Sequence, residues 1–121
     1  MVAVPERGDL VWLRFEPQAG REIRKTRPAL VLTPAAYNRK THLCIACPIT
    51  SQVKGYPFEV ALPADLELSG RKLSGRKLSG VVLADQAKSL DWHAREATVV
   101  GQAPPQVVDE VLGLLSTLLR V

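Results

Sequence analysis

Two stretches of this chain concentrate polar groups suited to binding or chemistry. Arg21, Arg24, Lys25 and Arg27 crowd one segment, opposed only by Glu22, and Thr50-Ser51-Gln52 closes an apolar run. Clustered guanidinium and ammonium groups suit an anionic partner, phosphate above all, and hydroxyl and amide groups can hydrogen-bond beside them. The other reactive residues lead away from familiar enzymes. Cys44 and Cys47 have the spacing of half a zinc site, but residues three apart on a strand face opposite sides, and no second pair completes the set. They read as core residues. His42 and His93 are not spaced as a metal pair, so neither a metal nor another cofactor is expected. The chain has no phosphate-binding glycine loop, nucleophile elbow or HExxH pattern.

The polar groups must be carried by strands. Leu10 to Phe15 follows a Gly8-Asp9 turn and is rich in strand formers, which predicts a first strand. Glu16 to Thr26 has Pro, Gly and mixed charge without an apolar period, so it is expected to be a long exposed loop delivering its basic end to the next strand. Pro28 suits a strand's first residue, and the strand runs to Thr33 before Pro34 stops it. A helical turn is expected over Ala35 to Lys40, then strands from His42 to about Thr50, from Tyr56 to Leu62, at Val81 to Leu83 and at Thr98 to Val100. Residues 104–120 form the one clear helix, with Pro104 and Pro105 in its first turn. Val107, Val108, Val111, Leu112, Leu114, Leu115, Leu118 and Leu119 recur at helical spacing. That stripe could pack on the core, cover an open barrel end or join a dimer interface.

Length and composition bound the rest. With 121 residues, 46% of them hydrophobic and 23% charged, one domain spanning 1–121 is expected. The first apolar run is too short for a signal or membrane span, and two closely spaced cysteines are not a secreted scaffold, so a cytoplasmic protein without membrane contact is expected. The formal charge of +4 is weak evidence for a polyanionic partner. Four of the 16 basic residues, Arg71, Lys72, Arg76 and Lys77, lie in a five-residue repeat over 68–80, and the remaining 12 only balance the 12 acidic ones. The repeat itself reads as a basic surface loop.

Several fragments nonetheless stand in a telling order. Gly8-Asp9-Leu-Val-Trp12, Arg27-Pro28-Ala29-Leu-Val-Leu32-Thr-Pro34, Cys-Pro48-Ile-Thr50, Lys54-Gly55-Tyr56-Pro57-Phe58-Glu59-Val60 and Leu83-Ala-Asp85-Gln86-Ala-Lys88-Ser89 together resemble the MazF/PemK toxins over nearly the whole chain. The 68–80 repeat is the main departure. The resemblance implies a mainly β fold, a small SH3-like antiparallel barrel with a C-terminal helix, working as a homodimer. It implies a type II toxin that cuts single-stranded mRNA, inhibits translation and is neutralised by a cognate antitoxin. It also implies Arg27 and Thr50 as the catalytic pair, assisted by Glu22. Arg24, Ser51, Lys54 and Gln86 become candidates for RNA contacts.

Metal-free RNA cleavage fits these residue types. The neighbouring 2′-hydroxyl can serve as nucleophile, which needs a proton acceptor, stabilisation of the anionic phosphorane and a proton for the leaving 5′-oxygen. The products would be a 2′,3′-cyclic phosphate and a 5′-hydroxyl. Forked, permanently charged donors suit Arg27 to the phosphorane, and Thr50 can donate to a phosphate oxygen. By residue type alone, Arg27 also fits an edge charge and Thr50 a strand-end threonine. Tyr56 and Phe58 could be core residues instead of stacking platforms, and Asp85 could serve to hold a turn. Two other functions share these features: a non-catalytic RNA-binding barrel, and a gyrase poison on the same small fold. Gyrase poisons, by resemblance, rely on a C-terminal tryptophan, whereas this chain ends Leu118-Leu119-Arg120-Val121.

Overall fold

A computed structural model describes residues 3–14, 26–64, 66 and 80–119. Glu22, Arg24, the expected loop between the first two strands and the repeat as far as Ser79 lie outside the described residues. The elements are β1 (Asp9–Arg14), β2 (Thr26–Val31), α1 (Ala35–Thr41), β3 (Leu43–Thr50), β4 (Glu59–Ala61), β5 (Val81–Leu83), a 3₁₀ turn (Ala84–Gln86), β6 (Lys88–Asp91), β7 (Thr98–Gln102) and α2 (Pro105–Leu119). All the strand pairings are antiparallel. The sheet runs β4-β5-β3-β2-β1-β7, and β6 also pairs with β3.

The central strands are apolar at nearly every position because both faces of the sheet are buried. Leu10, Leu30, Cys47, Ile49 and Val82 point to one core, which includes Val107, Val108 and Val111 of α2. Val11, Leu13, Ala29, Val31, Cys44 and Ala46 point to a second, closed by Leu90 and Trp92. The mainly β fold with a C-terminal helix is as expected, but among the described residues the sheet does not close into a barrel. Its end strands, β4 and β7, are not paired with each other among the described residues. Instead α2 bridges them through side chains: its valines share one core with Val60 of β4 and Val100 of β7. The α2 stripe is buried only in its first half; Leu118 and Leu119 are exposed.

Two strand expectations need correction, and one strand was not anticipated. β2 begins at Thr26, two residues before Pro28. Thr26 to Pro28 are paired with β1 only, and a strand with one open edge tolerates a missing N–H. β4 is only Glu59–Ala61, because Gly55 takes φ +79° and Tyr56 to Phe58 form a turn closed by the Glu59 N–H bonding to the Tyr56 carbonyl at 3.1 Å. β6 gave no sequence signal, since Leu90 is its only buried side chain.

One buried side chain ties the periphery to the sheet. Asn38, fully buried on α1, donates from Nδ2 to the carbonyls of Pro5 at 2.8 Å and Thr33 at 2.9 Å, and its Oδ1 accepts from the Thr33 hydroxyl at 2.8 Å. Its backbone carbonyl accepts from Trp92 Nε1 at 3.0 Å, joining α1 to the second core. The N-terminus of α1 is capped from a distance: Pro34 offers no side-chain cap, and the Glu6 carboxylate accepts the Ala35 N–H at 2.8 Å. That bond, with the Arg7 N–H and the charges of Arg7 and Arg39, outweighs desolvation and holds the Glu6 carboxyl below its usual range.

Two outcomes are expected. Asn38→Ala leaves the Pro5 carbonyl and the Thr33 carbonyl and hydroxyl without their side-chain partner and should destabilise the fold by about 3 kcal/mol in urea titration, against less than about 1 kcal/mol for loss of the exposed Arg14–Glu96 ion pair. Because the folded pKa of Glu6 is depressed, its contribution is present above the unfolded value and is lost as pH falls through the folded one. The stability gap between the wild type and Glu6→Gln should therefore narrow on acidification below pH 4.5.

Candidate active site

β2 and β3 are paired with Ala29 opposite Pro48, Leu30 opposite Cys47 and Val31 opposite Ala46. Two residues further, the same register sets Arg27 opposite Thr50. The ladder itself stops at Ala29 and Pro48. Beyond it Thr26 to Pro28 are paired with β1, while Ile49 and Thr50 are paired with β5 on the far edge of β3. Each strand is held from its outer side, and a pocket of about 340 Å³ lies between them.

Leu13, Ala29, Ala46 and Leu90, all from the second core, give the pocket an apolar floor. Arg27, Thr50, Gln86 and Lys88 supply its polar groups. Thr50 is half-buried and the other three are exposed. Among the described lining residues there are two cations and no carboxylate, so the pocket favours an anion. Thr50 Oγ1 accepts the Gln52 N–H at 3.1 Å, which leaves its hydroxyl proton to donate. Lys88, opposite Ala46 at the start of β6, was not nominated from the sequence, although it stands two residues after Gln86 in the same quoted fragment.

The backbone behind Thr50 depends on a glycine. Gly80 takes φ +115°, and a Cβ placed there would lie 2.0 Å from the Thr50 carbonyl oxygen and 2.8 Å from Ser51 Cα. The last glycine of the repeat therefore lets β5 approach β3 where β3 carries Thr50.

Of the residues nominated from the sequence, the structure brings Arg27, Thr50 and Gln86 together. Ser51 and Lys54 are outside the pocket lining, on the exposed segment that leaves Thr50. Glu22 and Arg24 lie outside the described residues. Cys44 and Cys47 face opposite cores, as strand alternation requires. Both are free, and burial pushes their thiols up to about 11 and about 12, the Asp85 charge adding to the second. Neither is a nucleophile at neutral pH.

The family described as PemK-like, MazF-like toxin of type II toxin-antitoxin systems matches residues 6–119. The chain is 43% identical over 116 residues to the endoribonuclease toxin MazF of Escherichia coli K12, covering 96% of this chain and 95% of that protein. It is 39% identical over 114 residues to the Escherichia coli endoribonuclease PemK, covering 94% and 81%. Among solved structures it is similar to MazE-MazF from Deinococcus radiodurans, with 54% identity, 98% of each chain covered and a TM-score of 0.84.

Two glycines in contrasting settings, Gly80 and Gly113, give a paired expectation. Gly80→Ala should destabilise by about 2 kcal/mol or more, whereas Gly113→Ala, on α2 with nothing within 4 Å of the added Cβ, should stabilise by up to about 1 kcal/mol. Equilibrium urea unfolding of both variants measures the difference.

Proposed function

Because the chain belongs to the PemK-like, MazF-like toxins of type II toxin-antitoxin systems, we propose that it is a metal-independent, sequence-selective endoribonuclease that cuts single-stranded mRNA in the Arg27–Thr50 pocket. The observation that carries this reading is the end of the β2–β3 ladder, which sets a guanidinium and a hydroxyl across a cation-bearing pocket.

The nucleophile is the 2′-hydroxyl of the nucleotide preceding the cut. As it attacks phosphorus, its proton passes to a base, charge accumulates on the non-bridging oxygens, and the 5′-oxygen leaves with a proton. The products are a 2′,3′-cyclic phosphate and a 5′-hydroxyl. Arg27 donates its forked N–H groups to the phosphorane and the Thr50 hydroxyl adds a third donor. Lys88 supplies a second positive charge for an adjacent phosphate. The described lining residues include no carboxylate, so the proton acceptor comes from beyond them. Glu22, five residues before Arg27 in the chain, takes that role.

Gln86 and Ser51 read base edges, while Arg24 and Lys54 hold phosphates along the strand. The basic 68–80 repeat, within a single toxin domain, adds salt-dependent affinity. The partners are the mRNA, a cognate antitoxin and a second copy of the chain, to which the exposed end of the α2 stripe is suited. Among the described residues no helix is long and apolar enough to cross a membrane. Cutting mRNA places the work in the cytoplasm and inhibits translation.

The purified protein should cut a long RNA in EDTA and leave cyclic phosphate and 5′-hydroxyl ends. Arg27→Ala should lower kcat/KM roughly 100- to 1000-fold with an unchanged thermal midpoint. Lys88→Ala should chiefly raise KM and reduce the salt slope of binding by about 1. A magnesium requirement, or 5′-phosphate products, would contradict the mechanism.

A further inference from the structure

Gln86 reaches the pocket from the 3₁₀ turn, and the residue before it is tied to a different segment. Asp85 accepts a hydrogen bond from the Tyr56 hydroxyl. Tyr56 belongs to the stretch that leaves β3 straight after Thr50 and is exposed from Ser51 to Pro57. Its own side chain is 41% exposed, so burial does not fix it there. Asp85 Oδ1 is buried with no hydrogen-bond partner among the described residues, which leaves the Tyr56 hydroxyl as the donor its carboxylate depends on. The phenol is correspondingly held above its usual range, first by donating to Asp85, then by burial and the charges of Asp85 and Glu59.

The rest of the segment is pinned so that this one bond orients it. The Glu59 carboxylate accepts the N–H groups of Lys54 and Gly55, each at 3.0 Å, and the Phe58 carbonyl accepts the Ala84 N–H at 3.0 Å. Those contacts fix the root of the segment against β5. The Tyr56–Asp85 bond fixes its outer part against the turn that carries Gln86. Ser51 lies five residues before Tyr56 on one of the joined segments and Gln86 directly follows Asp85 on the other, and on the ribonuclease reading both can read bases next to a phosphate held by Arg27 and Thr50.

We infer that Tyr56 and Asp85 are positioning residues for substrate selection: their hydroxyl–carboxylate bond sets the spacing between the Ser51–Lys54 segment and Gln86, and with it which bases flanking the cut are accepted. The inference rests on the ribonuclease reading of the pocket. Neither residue touches the reacting phosphate. Breaking the bond relaxes the fit of flanking bases while leaving Arg27 and Thr50 in place.

The test uses Tyr56→Phe, Asp85→Asn, Gln86→Ala and the Tyr56→Phe/Gln86→Ala double variant, with thermal midpoints measured throughout. Ultraviolet titration of the free protein reads the bond without RNA: the Tyr56 phenol, identified by its loss in Tyr56→Phe, should ionise above its usual range and move down in Asp85→Asn. On one long RNA, Tyr56→Phe and Asp85→Asn should raise KM about 5-fold, change kcat less, and widen the set of cut sites as Gln86→Ala does. Adding Tyr56→Phe to Gln86→Ala should widen it no further. A wild-type KM and cut-site map in Tyr56→Phe overturns the inference, as does a phenol indifferent to Asp85→Asn. If the wild type cuts no RNA, the ribonuclease reading fails by itself. Binding of a 2′-O-methyl single strand then decides the positioning role: about 5-fold weaker binding in Tyr56→Phe supports it, and equal binding overturns it.

Discussion

The pairing of β2 with β3 is the constraint on which the site depends. With Ala29 opposite Pro48, Arg27 and Thr50 come opposite each other just past the last paired residues. A slip of one residue would turn every side chain on β2 to the other face and move Ala29 and Val31 into the wrong core. Correct burial of two cores therefore also places the guanidinium and the hydroxyl. The ladder ends there because β1 holds one strand and β5 the other, each from its outer edge. Pro28 is compatible with that opening, since it cannot extend a ladder from its nitrogen.

A site on strand ends is only as rigid as the elements behind it. The second core forms the pocket floor, and Asn38 joins the chain entering β1, the β2–α1 link and Trp92 to the same region. Each of its polar side-chain atoms is bonded, so its burial supports specificity without a desolvation penalty left over. On the other side of β3, Gly80 allows β5 to lie directly against the Thr50 backbone. Thr50 is thus fixed from behind while its hydroxyl stays available in front.

The parts of this arrangement legible in the sequence are those where composition and periodicity agree. The apolar runs of β1 and β3 and the stripe on α2 each carry enough signal to stand alone, and strand alternation correctly separated Cys44 from Cys47. The ordered fragments around Arg27, Thr50 and Gln86 also pointed to residues that meet in space. Where one long-range contact decides, the sequence was silent. β6 has a single buried side chain, the segment before β4 is tied to the 3₁₀ turn by the Tyr56–Asp85 bond, and Lys88 gains meaning only when β6 pairs with β3. The expected small barrel is, among the described residues, an open sheet bridged by α2, where packing of valines takes the place of a final row of hydrogen bonds.

In the ribonuclease we propose, catalysis rests on electrostatic preorganisation: donors fixed by the fold are aimed at an anion before it forms, over an apolar floor. The most direct measurement is a crystal structure of the protein with a single-stranded RNA whose nucleotide at the cut lacks its 2′-hydroxyl, so that the chain binds without being cleaved. The account predicts the uncut phosphate between the strands, within hydrogen-bonding distance of the Arg27 guanidinium and Thr50 Oγ1. A phosphate seated elsewhere, with Arg27 and Thr50 free of the RNA, would contradict it.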